Sequence, residues 1–145
     1  MTTSPLLSPS LEAEIKSACY RVALDYSYYA DKHRMTDVAA LFAEDGKLEA
    51  FGQIHVGRAD ILACLSEDGD AITAHILTNY RIDVLSDGEA ESTSYVTFYL
   101  AGRSAPLSAT IEPLMVGTYH DVYTRTLEGW RFANRSFKPL FTRKG

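Results

Sequence analysis

The stretch ITAHILTNYRIDVL, residues 72–85, decides the fold because its side chains alternate between two faces with a period of two. Such alternation predicts a long β-strand. One predicted face carries Ile72, Ala74, Ile76, Tyr80, Ile82 and Val84. The opposite face carries Thr73, His75, Leu77, Asn79, Arg81 and Asp83. The turn signal Ser86-Asp87-Gly88 follows, so residues 89–101 are predicted to return as an antiparallel strand.

The rest of the chain places helices before this hairpin and a second hairpin after it. Residues 114–126 and 130–138 are predicted to form the second hairpin, across Leu127-Glu128-Gly129. The loop between the hairpins, residues 102–113, contains two prolines and is predicted to be a flexible flap. Helices first and long antiparallel strands afterwards indicate a segregated α+β fold, because a parallel βαβ array would alternate the two.

Three helices and two short strands are predicted in the first half of the chain. The first helix is predicted to begin after its N-cap Ser8 and to end near Ala30. Thr36 is predicted to cap a short second helix that carries Phe42 inward. The remaining predicted elements are short strands at residues 47–51 and 53–56 and a third helix at about residues 58–65.

The composition predicts one globular domain over residues 1–145, with residues 1–8 as a flexible N-terminus. Hydrophobic residues make up 46% of the chain and charged residues 23%, which fits a packed core. The net charge of −5 and the lack of a basic stripe argue against nucleic acid as a partner. No segment suits a signal peptide or a membrane span, so the predicted location is cytoplasmic. Cys19 and Cys64 are expected to be reduced and buried in helices.

Three groups of segments resemble the nuclear transport factor 2-like superfamily, over about residues 11–141. They are YSYYADK (26–32) with VAALFAEDG (38–46), HILTNYRI (75–82), and GTYHDVYTR (117–125) with GWRF (129–132). They are most similar to the SnoaL-like branch, which includes scytalone dehydratase, a bile-acid dehydratase and hexachlorocyclohexane dehydrochlorinase. The resemblance implies a curved mixed or antiparallel sheet that forms a cone, with about three helices, around an apolar cavity.

The resemblance also implies a set of catalytic residues. Lyases of this branch pair an aspartate just past the first helix with a histidine early in the third strand, and Asp31 and His75 match those positions. Tyr26 matches a catalytic tyrosine of the bile-acid enzyme, which implies an acid or hydrogen-bond donor at the leaving oxygen. His120 lies in the region from which scytalone dehydratase contributes a second histidine.

An aspartate–histidine pair has the chemistry for proton abstraction. A neutral imidazole is a competent base near neutral pH, and a carboxylate on its other nitrogen fixes the tautomer and stabilises the imidazolium. A carboxylate at the C-terminal end of a helix is opposed by the helix dipole, so Asp31 is expected to have a compensating donor or cation. The alternatives are a solvated Asp31 in a loop and a core His75 bonded to a backbone carbonyl.

A ring-shaped substrate would be held by aromatic and polar side chains, and the chain contains nine tyrosines that could supply them. Their rings can stack on a ligand and their hydroxyls can orient it, with core packing as the alternative for most of them. Arg135 is a candidate for holding a substrate anion, with a surface carboxylate as the alternative partner. The predicted substrate-binding residues are Tyr29, Asn79, Tyr119, His120 and Arg135.

No metal or cofactor is expected, because the four histidines lack ligand spacing and the sequence lacks phosphate-loop motifs. The predicted function is a cofactor-independent lyase or isomerase, of dehydratase, dehydrochlorinase or cyclase type, acting on a small cyclic or polyketide-like molecule. The alternative is a non-catalytic protein that binds a small apolar or aromatic ligand, or a structural partner like the small subunit of a ring-hydroxylating dioxygenase. A homodimer built through the convex sheet faces is expected, whereas the dioxygenase alternative predicts instability without a larger partner.

Overall fold

The structure, a computed structural model, describes residues 7–65, 69, 71–103, 107 and 111–144. Three helices precede four long strands, as the sequence predicts. The helices are α1 (Pro9–Asp31), α2 (Met35–Ala40) and α3 (Arg58–Leu65). The strands are β1 (Phe42–Ala50), β2 (Gln53–Val56), β3 (Ile72–Ser86), β4 (Glu89–Ala101), β5 (Met115–Thr126) and β6 (Gly129–Thr142).

The described strands form one six-stranded mixed sheet in the order β2-β1-β6-β5-β4-β3. β1 and β6 run parallel, and all other neighbours are antiparallel. The two long hairpins, β3–β4 and β5–β6, confirm the pairing predicted from their turn signals. The α+β class is therefore confirmed, and β2 and β3 lie at the two opposite edges of the sheet.

The first helix begins and ends where its sequence requires. The Ser8 side chain accepts a hydrogen bond from the Leu11 N–H at 3.1 Å, and Pro9 takes the first helical position. The helix ends at Asp31, with Lys32 as its C-cap. It packs mainly against β3, through a buried stripe of Ile15, Cys19, Val22, Ala23, Tyr26, Ser27 and Ala30.

The third strand is divided by a β-bulge at Asn79. This residue has a left-handed backbone with φ of 54°, and the pairing with β4 shifts between Thr78 and Arg81. A bulge adds one residue to a strand, so the side chains that follow it exchange faces. The prediction of two continuous faces was therefore wrong. The inward side chains are Thr73, His75 and Leu77 before the bulge, and Tyr80, Ile82 and Val84 after it.

Two other boundaries differ from the prediction. Thr36 lies inside α2, because that helix begins at Met35 after Arg34, which makes no side-chain capping hydrogen bond. Phe42 belongs to β1 instead of the second helix, and it is fully buried there. Its strand starts earlier than predicted because β1 already pairs with Phe132 of β6 at Phe42.

An aromatic cluster fills the space between α1 and the sheet. Tyr26 meets Phe42, Tyr119 and Phe132 edge to face, and Tyr123 stacks on Phe132 at 5.4 Å between ring centroids. All five side chains are at most 6% exposed. Burying a ring of this size stabilises the fold by roughly 1.5–3 kcal/mol, so this cluster is a large part of the core.

Some expectations fall partly on residues outside the described ranges. The proposed flexible N-terminus is described only at Leu7 and Ser8, and residues 104–106 and 108–110 of the predicted flap lie outside the described residues. No helix in the described part of the chain is long and apolar enough to cross a membrane. The cytoplasmic location stays a prediction.

The homodimer also stays a prediction, and exposed apolar side chains on the outer face near the β3 edge favour it. Ile72, Ile76 and Tyr95 are 55%, 46% and 41% exposed. Light scattering at micromolar concentration is expected to give twice the 16.1 kDa of one chain. Ile76→Asp should shift the mass toward the monomer, and Leu127→Asp in the exposed β5–β6 turn should not. A wild-type protein of 16.1 kDa would contradict the dimer.

Candidate active site

A cavity of about 660 Å³ lies against the inner face of the sheet. All six strands contribute to its wall, including the two edge strands β2 and β3. The edges of a flat six-stranded sheet would lie roughly 24 Å apart, and side chains from both edges line this one cavity. The lining side chains are Tyr26, Leu48, Ala50, Phe51, Gln53, His55, Cys64, Leu65, His75, Val96, Phe98, Leu100, Leu114, Met115, Tyr119 and Phe137.

Asp31 and His75, which are distant in the chain, are in direct contact at one side of this cavity. His75 Nδ1 lies 2.6 Å from Asp31 Oδ1. The His75 backbone N–H donates to Asp31 Oδ2 at 3.0 Å, and the Thr73 hydroxyl donates to Asp31 Oδ1 at 3.1 Å. The carboxylate at the end of α1 is therefore compensated by donors from β3, as the helix dipole requires.

These contacts determine the charge of Asp31. Burial alone would raise its pKa, but the hydrogen bonds from the His75 ring and backbone, the His75 charge and the Thr73 hydroxyl outweigh burial. The net result is a pKa below the ordinary value. Asp31 therefore stays ionised at neutral pH, so it can accept a hydrogen bond from a His75 Nδ1–H.

His75 is held in one orientation by its neighbours. Nδ1 is occupied by Asp31, and the ring packs against Phe98 with 4.7 Å between centroids. Its side chain is only 16% exposed and lines the cavity. Nε2 is therefore the ring nitrogen left to meet a ligand, in the arrangement that positions a general base.

Tyr26 and Tyr119 line the cavity in front of a buried cation. The Arg135 guanidinium carbon lies 4.1 Å from the Tyr26 ring centroid and 3.3 Å from that of Tyr119. Burial, the largest cause, raises the pKa of both phenols, while Arg135 acts in the opposite direction. Both phenols therefore keep their protons and can act as hydrogen-bond donors.

Arg135 lies behind the cavity wall and is not among the lining residues. Its Nε is 3.1 Å from Oδ1 of Asp121, and both side chains are fully buried. The surface carboxylate considered as its partner from the sequence is thus a core carboxylate instead. Burial raises the pKa of Asp121 to about 6, against the opposite effect of Arg135. This arrangement makes Arg135 a core cation under the two phenols, and its contact with a substrate anion stays a prediction.

Three other predicted substrate-binding residues lie outside the cavity. Tyr29 stacks beside Arg34, with the guanidinium carbon 4.7 Å from the ring centroid. Asn79 is exposed at the bulge, where its own backbone is left-handed. His120 is exposed, and its Nε2 lies 3.6 Å from Glu91. Of the five predicted binding residues, only Tyr119 lines the cavity.

The cavity also contains a histidine that was not predicted from the sequence as a site residue. His55 of β2 lines it with a side chain that is 20% exposed, and its Nδ1 lies 3.6 Å from Asp60 Oδ2. A four-residue strand has too little alternation to show which side faces inward, so no local signal identifies His55. Among the described residues, no cluster of three or more histidine, cysteine, aspartate or glutamate side chains could hold a metal ion.

The chain belongs to the SnoaL-like domain family, because the model of that family matches residues 11–136. This match, together with the likeness to a solved structure described as an "ntf2-like protein", confirms the resemblance to the nuclear transport factor 2-like fold. The sequence matches none of the curated proteins with which it was compared.

Several solved structures share this fold. A Novosphingobium aromaticivorans protein described as "Putative Scytalone Dehydratase" is 25% identical, with a TM-score of 0.81 over 94% of this chain and 91% of that one. ActVI-ORFA from Streptomyces coelicolor is 20% identical, with a TM-score of 0.75 over 87% and 97%. A Catenulispora acidiphila protein in complex with S-DNPA is 18% identical, with a TM-score of 0.74 over 88% and 94%. The last two likenesses show the fold alone.

Removing the Asp31 charge should destabilise the fold in a pH-dependent way. Asp31→Asn is expected to lower the free energy of unfolding by about 1–3 kcal/mol at pH 7, because the three donors lose an ionised acceptor. A lowered folded pKa gives stability that is present above the unfolded value of 3.8 and is lost as pH falls through the folded value. Urea denaturation at pH 7, 5 and 3 should therefore show the difference between variant and wild type shrinking at pH 3.

A matched control comes from the same helix. Asp25 forms a surface pair with Arg21, whose side chain is 77% exposed, so Asp25→Asn should cost only about 0.3–0.5 kcal/mol. Equal losses for the two variants at pH 7 would mean that Asp31 is no more than a surface carboxylate.

Proposed function

We propose that this protein is a lyase or isomerase that needs no cofactor and acts on a small cyclic or polyketide-like molecule. The observation that carries the proposal is the 2.6 Å contact between His75 Nδ1 and Asp31 Oδ1 at the wall of an apolar cavity. In this proposal His75 is the general base, Asp31 its orienting partner, and Tyr26 the hydrogen-bond donor at the leaving oxygen.

The proposed reaction begins with loss of a proton from carbon. His75 Nε2 takes a proton next to a carbonyl or a leaving group, and the electron pair of the C–H bond forms a new double bond. The ring becomes an imidazolium, which the Asp31 carboxylate stabilises at Nδ1. An elimination then breaks the bond to the leaving group, whereas an isomerisation returns the proton to another carbon.

Tyr26 supports the reaction through its hydroxyl group. Its raised pKa makes it a poor acid but a stable neutral donor. A donor aimed at an oxygen that gains negative charge stabilises the transition state more than the ground state. Tyr26 therefore fits the role of holding the leaving oxygen without transferring its own proton.

The shape and lining of the cavity support the substrate class. Its wall is mainly apolar and includes the rings of Phe51, Phe98 and Phe137, which suit the faces of a planar ring compound. The solved structure described as a "Putative Scytalone Dehydratase", at 25% identity, favours the same type of chemistry.

A first prediction uses 5-nitrobenzisoxazole, a planar bicyclic probe that releases a coloured phenolate when a base removes its ring C–H proton. The wild-type protein is expected to accelerate this ring opening. His75→Ala should lower kcat/KM by ~10²–10⁴-fold because the positioned base is lost. Asp31→Asn should lower it by roughly 10²-fold or more because Nδ1 loses its acceptor.

The control for this experiment is His120→Gln, which changes a histidine outside the cavity and should leave the rate unchanged. Circular dichroism of each variant checks that it remains folded. Wild-type turnover equal to that of folded His75→Ala would argue against a catalytic base and favour a binding protein.

Tyr26→Phe separates an enzyme from a binding protein because it removes only the hydroxyl. A binding protein should lose affinity for 4-nitrophenol by about 1 kcal/mol, the net value of one hydrogen bond. An enzyme that uses this hydroxyl in the transition state should lose more kcat for 5-nitrobenzisoxazole than affinity for 4-nitrophenol, by a factor of roughly ten. Tyr29→Phe, on the same helix but outside the cavity, is the matched control. Equal, small losses in kcat and affinity would favour the binding protein.

A further inference from the structure

We infer that His55 is a second catalytic residue, which donates a proton to the leaving group from the wall opposite His75. This inference rests on the proposed function. The observation that carries it is topological: His55 lies on β2 and His75 on β3, the two edges of the sheet, and both line the same cavity. Two imidazoles from opposite ends of the strand order thus line the same cavity.

His55 has its own carboxylate partner. Asp60 Oδ2 lies 3.6 Å from His55 Nδ1 and accepts a hydrogen bond from the Val56 N–H at 3.0 Å. The contact with the Val56 N–H fixes the Asp60 carboxylate beside the His55 ring. The negative charge of a carboxylate attracts a positively charged imidazole. This pair resembles the Asp31–His75 pair in composition but has a longer separation.

The exposure of the two pairs assigns them different tasks. Asp31 and His75 are 27% and 16% exposed, and their contact holds the ring as a proton acceptor with one nitrogen free. Asp60 is 54% exposed, so the His55 pair reaches solvent at the rim of the cavity. An acid that must recover its proton from water after each turnover suits this second position.

The two histidines together balance the protons of an elimination. His75 takes the proton from carbon, the electron pair forms the double bond, and the bond to the leaving oxygen breaks. The leaving oxygen takes a proton from His55 and departs as water, an alcohol or a phenol. His55 then regains a proton from solvent and His75 loses one to it, so no oxidant, reductant or further reactant is needed.

The test compares two probes that differ in their leaving oxygen. Unsubstituted benzisoxazole releases a less acidic phenol than 5-nitrobenzisoxazole, so its ring opening depends more on a proton donor. His55→Gln is expected to lower kcat/KM by about 10²-fold for benzisoxazole and by less than about threefold for the nitro compound. His75→Ala should lower both rates by a similar factor, because both reactions need the base.

His120→Gln is a closely matched control. His120 also has a carboxylate neighbour at 3.6 Å but lies outside the cavity, so its loss should change neither rate. A different result would be that His75→Ala abolishes turnover while His55→Gln affects both probes equally or not at all. That result would support His75 as the general base and overturn the assignment of His55 as the proton donor.

A second measurement tests the contact between His55 and a ligand even if turnover does not depend on His75. In nitrogen-15 NMR of the labelled protein, 4-nitrophenol should shift the imidazole signals of His55 and leave those of His120 in place. Unchanged His55 signals at a saturating concentration of 4-nitrophenol would overturn the proposed contact. A selective shift of the His55 signals supports its contact with a ligand oxygen, whether or not His75 acts as the general base.

Discussion

The hydrogen bonds that converge on the Asp31 carboxylate hold the candidate site together. The carboxylate ends α1, and its donors, Thr73 and His75, both belong to the edge strand β3. One anion thus joins the helix to the sheet, compensates its own unfavourable position at the helix end, and orients the His75 ring. Because these effects share the same atoms, the position of the His75 ring cannot be separated from the packing of α1.

Behind the cavity wall, the core combines charge with aromatic packing. A buried ion pair costs desolvation energy that its own attraction repays only in good geometry. Arg135 has Asp121 beside it and the rings of Tyr26, Tyr119 and Phe132 within 4.8 Å, so ring contacts add to the compensation. Two of these rings also face the cavity. The polarity of the cavity wall therefore depends on a cation that is not itself among the lining residues.

The sequence predicted the elements that depend on local patterns and missed those that depend on tertiary contacts. The alternation in β3 and the turn at Asp87-Gly88 gave the first hairpin correctly. The bulge at Asn79 was missed because a left-handed asparagine leaves no mark on hydrophobic periodicity. The resemblance brought Asp31 and His75 together, and the structure places them in contact. The cavity position of His55 requires knowledge of how far the sheet curves, which no short segment contains.

The bulge at Asn79 divides β3 into two parts with separate neighbours. Before it, the Thr73 and His75 side chains contact Asp31 and His75 lines the cavity; after it, the Tyr80 and Tyr123 hydroxyls share a hydrogen bond of 3.0 Å in the core. Substitutions in the first part can reshape the ligand space while the second part keeps its packing. The bulge therefore lets one strand hold Asp31 through Thr73 and His75 and also supply part of the core, so a change of ligand space in the first part that keeps these two residues needs no new fold.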